Sequence, residues 1–223
     1  MDASLWIAKT GLTAQKTRMQ VISNNLANVN TTGFKKDRAV FEDLLYQNIT
    51  PAGGQTDADS QAPTGLMLGT GTRVLATEKL HGQGNIITTE NALDLAITGD
   101  GFLSVLQKDG TFAYTRDGSL KLSADGNLVT AGGEALNPPI NIDANAESIT
   151  IGRDGTVTVS LANGGGSAQA GQIQLSRFPN NAGLKPLGRN LYAETEASGT
   201  AQVGNPGETG NGMLMQGSLE ASN

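Results

Sequence analysis

Apolar side chains return every seven positions near the start of the chain, at Leu5, Leu12, Met19 and Leu26. A companion series runs three places later, at Ala8, Gln15, Ile22 and Val29. This is the a/d spacing of a helix seam with one polar position, Gln15. It predicts one amphipathic helix over 4–28, about 25 residues and roughly 37 Å long at a rise of 1.5 Å per residue. No proline precedes Pro51, Asp2 or Ser4 can cap the helix, and Asn28, Asn30 and Gly33 supply stop signals. A strict seven-residue repeat favours a helical partner, while an ordinary amphipathic helix would lie on a sheet of its own domain. No second long helical pattern follows in the chain, so a helical partner would come from another molecule or from sequence beyond it.

Residues 34–49 carry Ala39, Val40, Phe41, Leu44 and Leu45 in a pattern that suits a helical turn or an extended strand. Residues 50–65 hold two prolines and no large apolar side chain, the composition of a loop or extended arm. From about residue 74 the hydrophobic period drops to two. Asp109-Gly110, Asp117-Gly118 and Asp125-Gly126 recur every eight residues, with Phe112 and Tyr114, then Leu120 and Leu122, alternating with polar positions between them. Asp-Gly is a preferred type I′ hairpin pair, so an antiparallel meander is expected. Ser148–Ile151 and Thr156–Val159 around Asp154-Gly155 predict another hairpin, and residues 172–178 a strand ending before Pro179. The glycine-rich stretches 161–171 and 197–212 read as mobile loops. The expected fold is mainly β: an antiparallel meander or barrel-like domain, a long coiled-coil-type helix and an extended linker. The division it implies is a helix over 1–30, a linker over 31–75, a β-rich domain over 76–195 and a return segment over 196–223.

Composition narrows the function classes. Hydrophobic residues make up 37% of the 223 and aromatics 4%, with thirty glycines, which fits a turn-rich β protein better than a helical bundle or a disordered chain. There is no cysteine, which removes disulfides and thiolate metal sites. No apolar run reaches the roughly 20 residues of a membrane span. The N-terminus lacks the basic region and cleavage site of a secretory signal, which by itself fits a cytoplasmic chain. Residues 1–38 carry six basic and two acidic groups, whereas the rest of the chain is strongly acidic. Without an arginine cluster the basic arm makes a poor nucleic-acid surface, and the acidic remainder argues against one too. His81 is the sole histidine and stands among turn residues, without the ligands of a metal site or the nucleophile elbow of a triad, so a structural role is expected. The Gly82-Gln-Gly84 stretch fails the dinucleotide fingerprint at Ile87. Neither a catalytic site, a metal, a cofactor nor a small-molecule substrate is expected.

The segment from Ile22 through Asn24, Asn25, Leu26, Ala27, Asn28, Thr32, Gly33 and Phe34 to Lys35 resembles the signature of bacterial flagellar rod and hook subunits. Ser4–Gly11, Arg38–Tyr46, Gly69–Gly71, Leu93–Phe102, Ala113–Gly118 and Ile149–Gly152 resemble the distal-rod branch of that axial-protein family in particular. The resemblance covers essentially the whole chain. It implies a structural protein of the flagellar basal body that self-assembles helically into a drive shaft for motility. It also implies passage through a type III export apparatus without a cleaved signal peptide, and contacts with other rod, hook and ring proteins. Under it, Leu5, Ala8, Leu12, Met19, Ile22, Leu26 and Val29 form a subunit-interface seam, and Tyr46–Gly65 is similar to the segment that separates straight rods from flexible hooks. Family members continue past residues 216–223 into a heptad helix, which would be the seam's partner.

A proximal rod or hook subunit is the nearest alternative. An alternative of another class is a β-rich ligand-binding or adhesin module with a helical stalk.

Overall fold

A computed structural model describes residues 3–53, 55–57, 60–61, 64–143, 145–161 and 166–223. The chain divides into two compact units, one built from residues 1–27 and 37–79, the other from residues 28–36 and 80–223. The structure is mainly β, with a single long helix and antiparallel sheets, and among the described residues none of the sheets closes into a barrel.

In the first unit the helix runs from Ala3 to Ala27. Ser4 therefore lies inside it rather than capping it, and Asp2 falls outside the described residues. The helix lies against an antiparallel pair formed by Asp37–Asp43 and Thr72–Lys79. Its contact face is made of small and short side chains: Ala14 is buried, and Thr10, Gly11, Thr17, Val21 and Asn25 are half-buried. Such residues let a helix approach a backbone closely. Gly71, at φ +121, has Thr10 Oγ1 2.3 Å from the position a Cβ would take. A second antiparallel pair joins Tyr46–Thr50 to Leu66–Gly69, and both of its strands are exposed. The ambiguous stretch 34–49 is thus extended, and much of the expected linker 31–75 is paired strand. The expected arm 50–65 falls partly on residues outside those described, and its described residues include a short pair, Gln55–Asp57 with Ser60–Gln61.

The second unit centres on a nine-stranded antiparallel sheet. Its path runs Lys121–Leu122, Leu128–Val129, Ala135–Leu136, Phe102–Leu106, Phe112–Thr115, Leu191–Ala193 and Lys185–Gly188, with Leu175–Arg177 and Gln202–Gly204 joined beside Phe102–Leu106. Alternation along Phe102–Leu106 and Phe112–Thr115 sends successive side chains to opposite faces. Leu103, Val105 and Ala113 enter a large aliphatic core shared with Ile151, Val157 and Val159 of a three-stranded sheet, Ala146–Ile151, Thr156–Leu161 and Ser167–Gln172. Phe102 and Tyr114 enter a smaller aromatic cluster with Phe178, Leu184 and Tyr192. The strand expected over 172–178 is split between the sheets, Ile173 turning aside to donate its N–H to the Gly155 carbonyl at 2.8 Å. Ser167–Gln172 and Gln202–Gly204 are strands within stretches expected to be loops, while residues 162–165 lie outside the described set. The expected return segment also contributes Met213–Gln216, paired with Leu95–Thr98, and Ser218–Glu220, paired with Ile86–Thr88.

The Asp-Gly turns follow one geometry, though not the one their dipeptide suggested. The glycine N–H of Gly110, Gly126 and Gly155 bonds the carbonyl three residues back, and only the glycine takes positive φ, at 82°, 81° and 85°. That is a type I turn closed by a single left-handed glycine, the three-residue hairpin loop, rather than a type I′ pair. Asp117-Gly118, the middle member of the eight-residue series, makes no hairpin. Phe112–Thr115 and Lys121–Leu122 are not neighbours, because Gly118 packs its backbone on Leu95, accepting that residue's N–H at 3.0 Å.

A Cβ on Gly118 would lie 1.7 Å from the Leu95 carbonyl oxygen, whereas one on Gly110 would meet nothing within 4 Å. Gly118→Ala should therefore cost about 3 kcal/mol by displacing core backbone, and Gly110→Ala about 1–2 kcal/mol from its left-handed φ alone. Urea unfolding of the two variants, compared at equal m-value, measures the difference.

Candidate functional site

The signature segment is placed by two distinct sets of contacts. In the first unit, the Asn25 carboxamide makes a reciprocal pair with the backbone of Asp37, donating from Nδ2 to the carbonyl at 2.8 Å and accepting the N–H at 2.9 Å. A side-chain amide here does what a neighbouring strand would do, tying the helix to the start of Asp37–Asp43. The Asp37 carboxylate meets Lys79 at 3.0 Å, joining the two strands that carry the helix.

In the second unit the end of the segment, from Gly33 to Lys35, is buried. The chain leaves the helix through a turn in which Thr31 N–H bonds the Asn28 carbonyl at 3.0 Å and Thr31 Oγ1 bonds Asn28 Oδ1 at 3.2 Å. The Thr32 carbonyl accepts from Asn190 Nδ2 at 2.8 Å. Gly33 sits at φ +66 with Asp117 N 2.7 Å from its absent Cβ, so both its conformation and its surroundings require glycine. Its N–H donates to the Glu220 carbonyl at 2.8 Å. Phe34 is buried, and Lys35 is fully buried.

Lys35 leads to the most strongly charged feature of the interior. Its Nζ donates to Glu220 Oε1 at 2.7 Å and to the Gly82 carbonyl at 2.7 Å. The other carboxylate oxygen accepts from Arg116 Nε at 2.8 Å, and the Gly84 N–H reaches Oε1 at 2.7 Å. Arg116 also donates to the carbonyls of Gly101, Ile97 and Gly99. One carboxylate thus answers two buried cations, and backbone carbonyls absorb the residual positive charge. Burial pushes the Glu220 carboxyl upward, but the Arg116 charge and the hydrogen bonds from Lys35, Gly84 and Arg116 hold it below its ordinary value. Burial pushes Lys35 down, and the neighbouring Arg116 charge adds to that against the pull of Glu220.

The seam positions lie elsewhere on the helix. Leu5, Leu12, Met19, Ile22 and Leu26 are 51–73% exposed, and Ala8 is exposed as well. Leu5 and Ala14 are nine residues apart, about two and a half turns, so the seam faces away from the side that packs on the unit's own strands. Val29, the last seam position of the sequence reading, lies in the turn after the helix. Asn24, Leu26 and Ala27 of the signature are exposed on the helix's last turns. Arg116, Glu220 and Gly84 were not singled out by sequence, since their partners stand up to 185 residues away. His81 packs edge-on against Phe102 and Tyr192, with ring centroids 5.6 and 5.3 Å distant, in keeping with a structural role. Among the described residues no group of three His, Cys, Asp or Glu side chains is arranged to hold a metal, and no helix is long and apolar enough to cross a membrane.

Comparison with known proteins places matches at both the helix and the β-rich unit. Residues 5–35 match the family described as flagella basal body rod protein, and residues 96–159 the flagellar hook protein FlgE/F/G D1 domain. The flagellar basal-body rod protein FlgG of Buchnera aphidicola subsp. Schizaphis graminum is 51% identical over 223 residues, spanning all of this chain and 86% of the relative. Its namesakes in Borreliella burgdorferi and Bacillus subtilis are 45% and 40% identical, each spanning all of this chain and 85% of the relative. The flagellar hook protein FlgE of Helicobacter mustelae is 40% identical over 67% of this chain but only 34% of its own length.

Acid should reveal the buried carboxylate. Because Glu220 is held below its ordinary value of 4.5 in the folded chain, its contribution is complete above that pH and is lost as pH falls from 4.5 toward the depressed folded value. Glu220→Gln, which leaves two buried cations without their carboxylate, should cost about 3–5 kcal/mol at neutral pH. Arg38→Ala, which removes a partner of Glu78 that is itself 62% exposed, should change stability by less than about 0.5 kcal/mol. Urea titrations between pH 3 and 7, on a scale of roughly 1.4 kcal/mol per unit of pKa difference, read all three.

Proposed function

The chain belongs to the family of the flagellar basal-body rod protein FlgG, and on that premise we propose that it is a structural subunit of the distal rod whose exposed helix seam is the contact through which copies assemble. The rod is a drive shaft for motility in the basal body. The subunit reaches it by the flagellar export route without a cleaved signal peptide, and there meets other rod, hook and ring proteins. Its role is mechanical rather than enzymatic.

The observation that carries this reading is the two-faced helix. One face, centred on Ala14, is used up by the unit's own strands, while the opposite face presents large apolar side chains to water. Fully covering five such side chains is worth on the order of 10 kcal/mol before the costs of association. A heptad stripe is best covered by another helix. When the covering element lies on a neighbouring copy and the contact does not close a ring, the product is a helical filament.

Leu12→Asp and Ile22→Asp should abolish polymer formation, since each places a carboxylate where a neighbour must desolvate it. Both positions are more than half exposed in the single chain, so the variants should melt within about 0.5 kcal/mol of the parent. Lys9→Ala should assemble normally. Electron microscopy of polymer, beside thermal melts of the monomer, tests the reading; equal loss of polymer in the seam and Lys9 variants would refute it.

A further inference from the structure

Within the second unit, three stretches distant in sequence are laced together beside two of the three points where the chain passes between units, 36/37 and 79/80. Gly33 donates to the Glu220 carbonyl at 2.8 Å, Leu80 donates to the Lys36 carbonyl at 2.9 Å, and Ala221 donates to the Asn85 carbonyl at 2.8 Å. Asn223 serves both crossings at once: its Oδ1 accepts the Lys36 N–H at 2.9 Å, and its Nδ2 reaches the carbonyls of Leu80 at 2.6 Å and Gly82 at 3.1 Å. The Glu220 carboxylate lies beneath, with Lys35 from one stretch, the Gly84 N–H from the second, and Arg116 from just past the strand Phe112–Thr115. The approach is close enough that a Cβ on Gly84 would lie 2.1 Å from the Ala221 carbonyl oxygen.

We propose that residues 33–36, 80–85 and 218–223 form one load-bearing joint, in which the C-terminal stretch locks both crossing segments so that neither can be drawn out alone. This rests on the reading of the chain as a shaft subunit, which is what subjects the crossings to load. The chemistry suits the task. A lone hydrogen bond yields easily, but here each stretch bonds both others, and pulling one out would strand a buried ion. The joint therefore opens as a unit or stays closed.

Hydrogen exchange on the full chain tests this without any polymer, so its failure is distinct from a failure of the assembly reading. Asn223→Ala removes only the uppermost tie. It should speed exchange at Gly33, Lys36, Leu80, Gly84 and Ala221 by a common factor of about tenfold, with Val105 and Ala113 unchanged. Acceleration confined to Lys36, whose N–H bonds Asn223 directly, would overturn the joint. A second readout is force. The chain has no cysteine of its own, so handles introduced by Thr77→Cys and Lys121→Cys pull across the 79/80 crossing. Asn223→Ala and Glu220→Gln should both lower the first rupture force, and Asn223→Ala decides alone if Glu220→Gln does not fold. An unchanged rupture force in Asn223→Ala would refute the load-bearing role.

Discussion

A single carboxylate held between two buried cations governs how the β-rich unit is put together. Glu220 cannot be fully desolvated without Lys35 and Arg116, and both cations would lose a buried counter-charge without it. Satisfying all three fixes the path of three parts of the chain. Lys35 draws the signature segment inward, Arg116 pulls the chain out of the sheet after Thr115, and the strand Ser218–Glu220 must lie beside Ile86–Thr88 for the carboxylate to reach either. The interrupted meander follows from this. Once Arg116 turns inward, Gly118 meets Leu95, and the next strand enters the sheet on the far side of its predecessors.

Carboxamide side chains close three stretches of backbone that would otherwise be left open. Asn25 pairs with Asp37 in one unit. In the other, Gln216 accepts the Ile151 N–H and donates to the Ile149 carbonyl, closing the outer edge of Ala146–Ile151, and Asn223 bridges two crossing segments. Each sets an N–H donor and a carbonyl acceptor about as far apart as those of a peptide group, so it can stand in for a strand without extending the sheet. This blunts edges that could otherwise pair with the wrong chain.

Much of this was legible in the sequence where the deciding interactions are local. The helix, the period-two strands and the hairpins at Gly110, Gly126 and Gly155 follow from spacing and turn chemistry within a few residues. The apolar stripe left exposed on the helix was also visible, although Val29 lies two residues past the helix's actual end. What the pattern missed is set at long range. Asp117-Gly118 has the same local signal as its neighbours, yet a contact with Leu95 more than twenty residues earlier decides its path. Nothing near Lys35 or Glu220 marks either as buried, for Lys35 opens the charged run 35–38 and Glu220 is a lone charge between Leu219 and Ala221, and both settings read equally well as surface positions. The linker expected over 31–75 hid its strands because Asp37–Asp43 finds its partner only at Thr72–Lys79.

The contact between Lys35 and Glu220 spans 185 residues, and this has a consequence for timing. The signature segment has no settled place in the β-rich unit until the strand carrying Glu220 is present, so a partly emerged chain holds Lys35 without the Glu220 carboxylate and Gly33 without the Glu220 carbonyl. Such a chain gains little by collapsing early. It reaches its final form in a late, cooperative step, and remains easy to thread through a narrow opening until then.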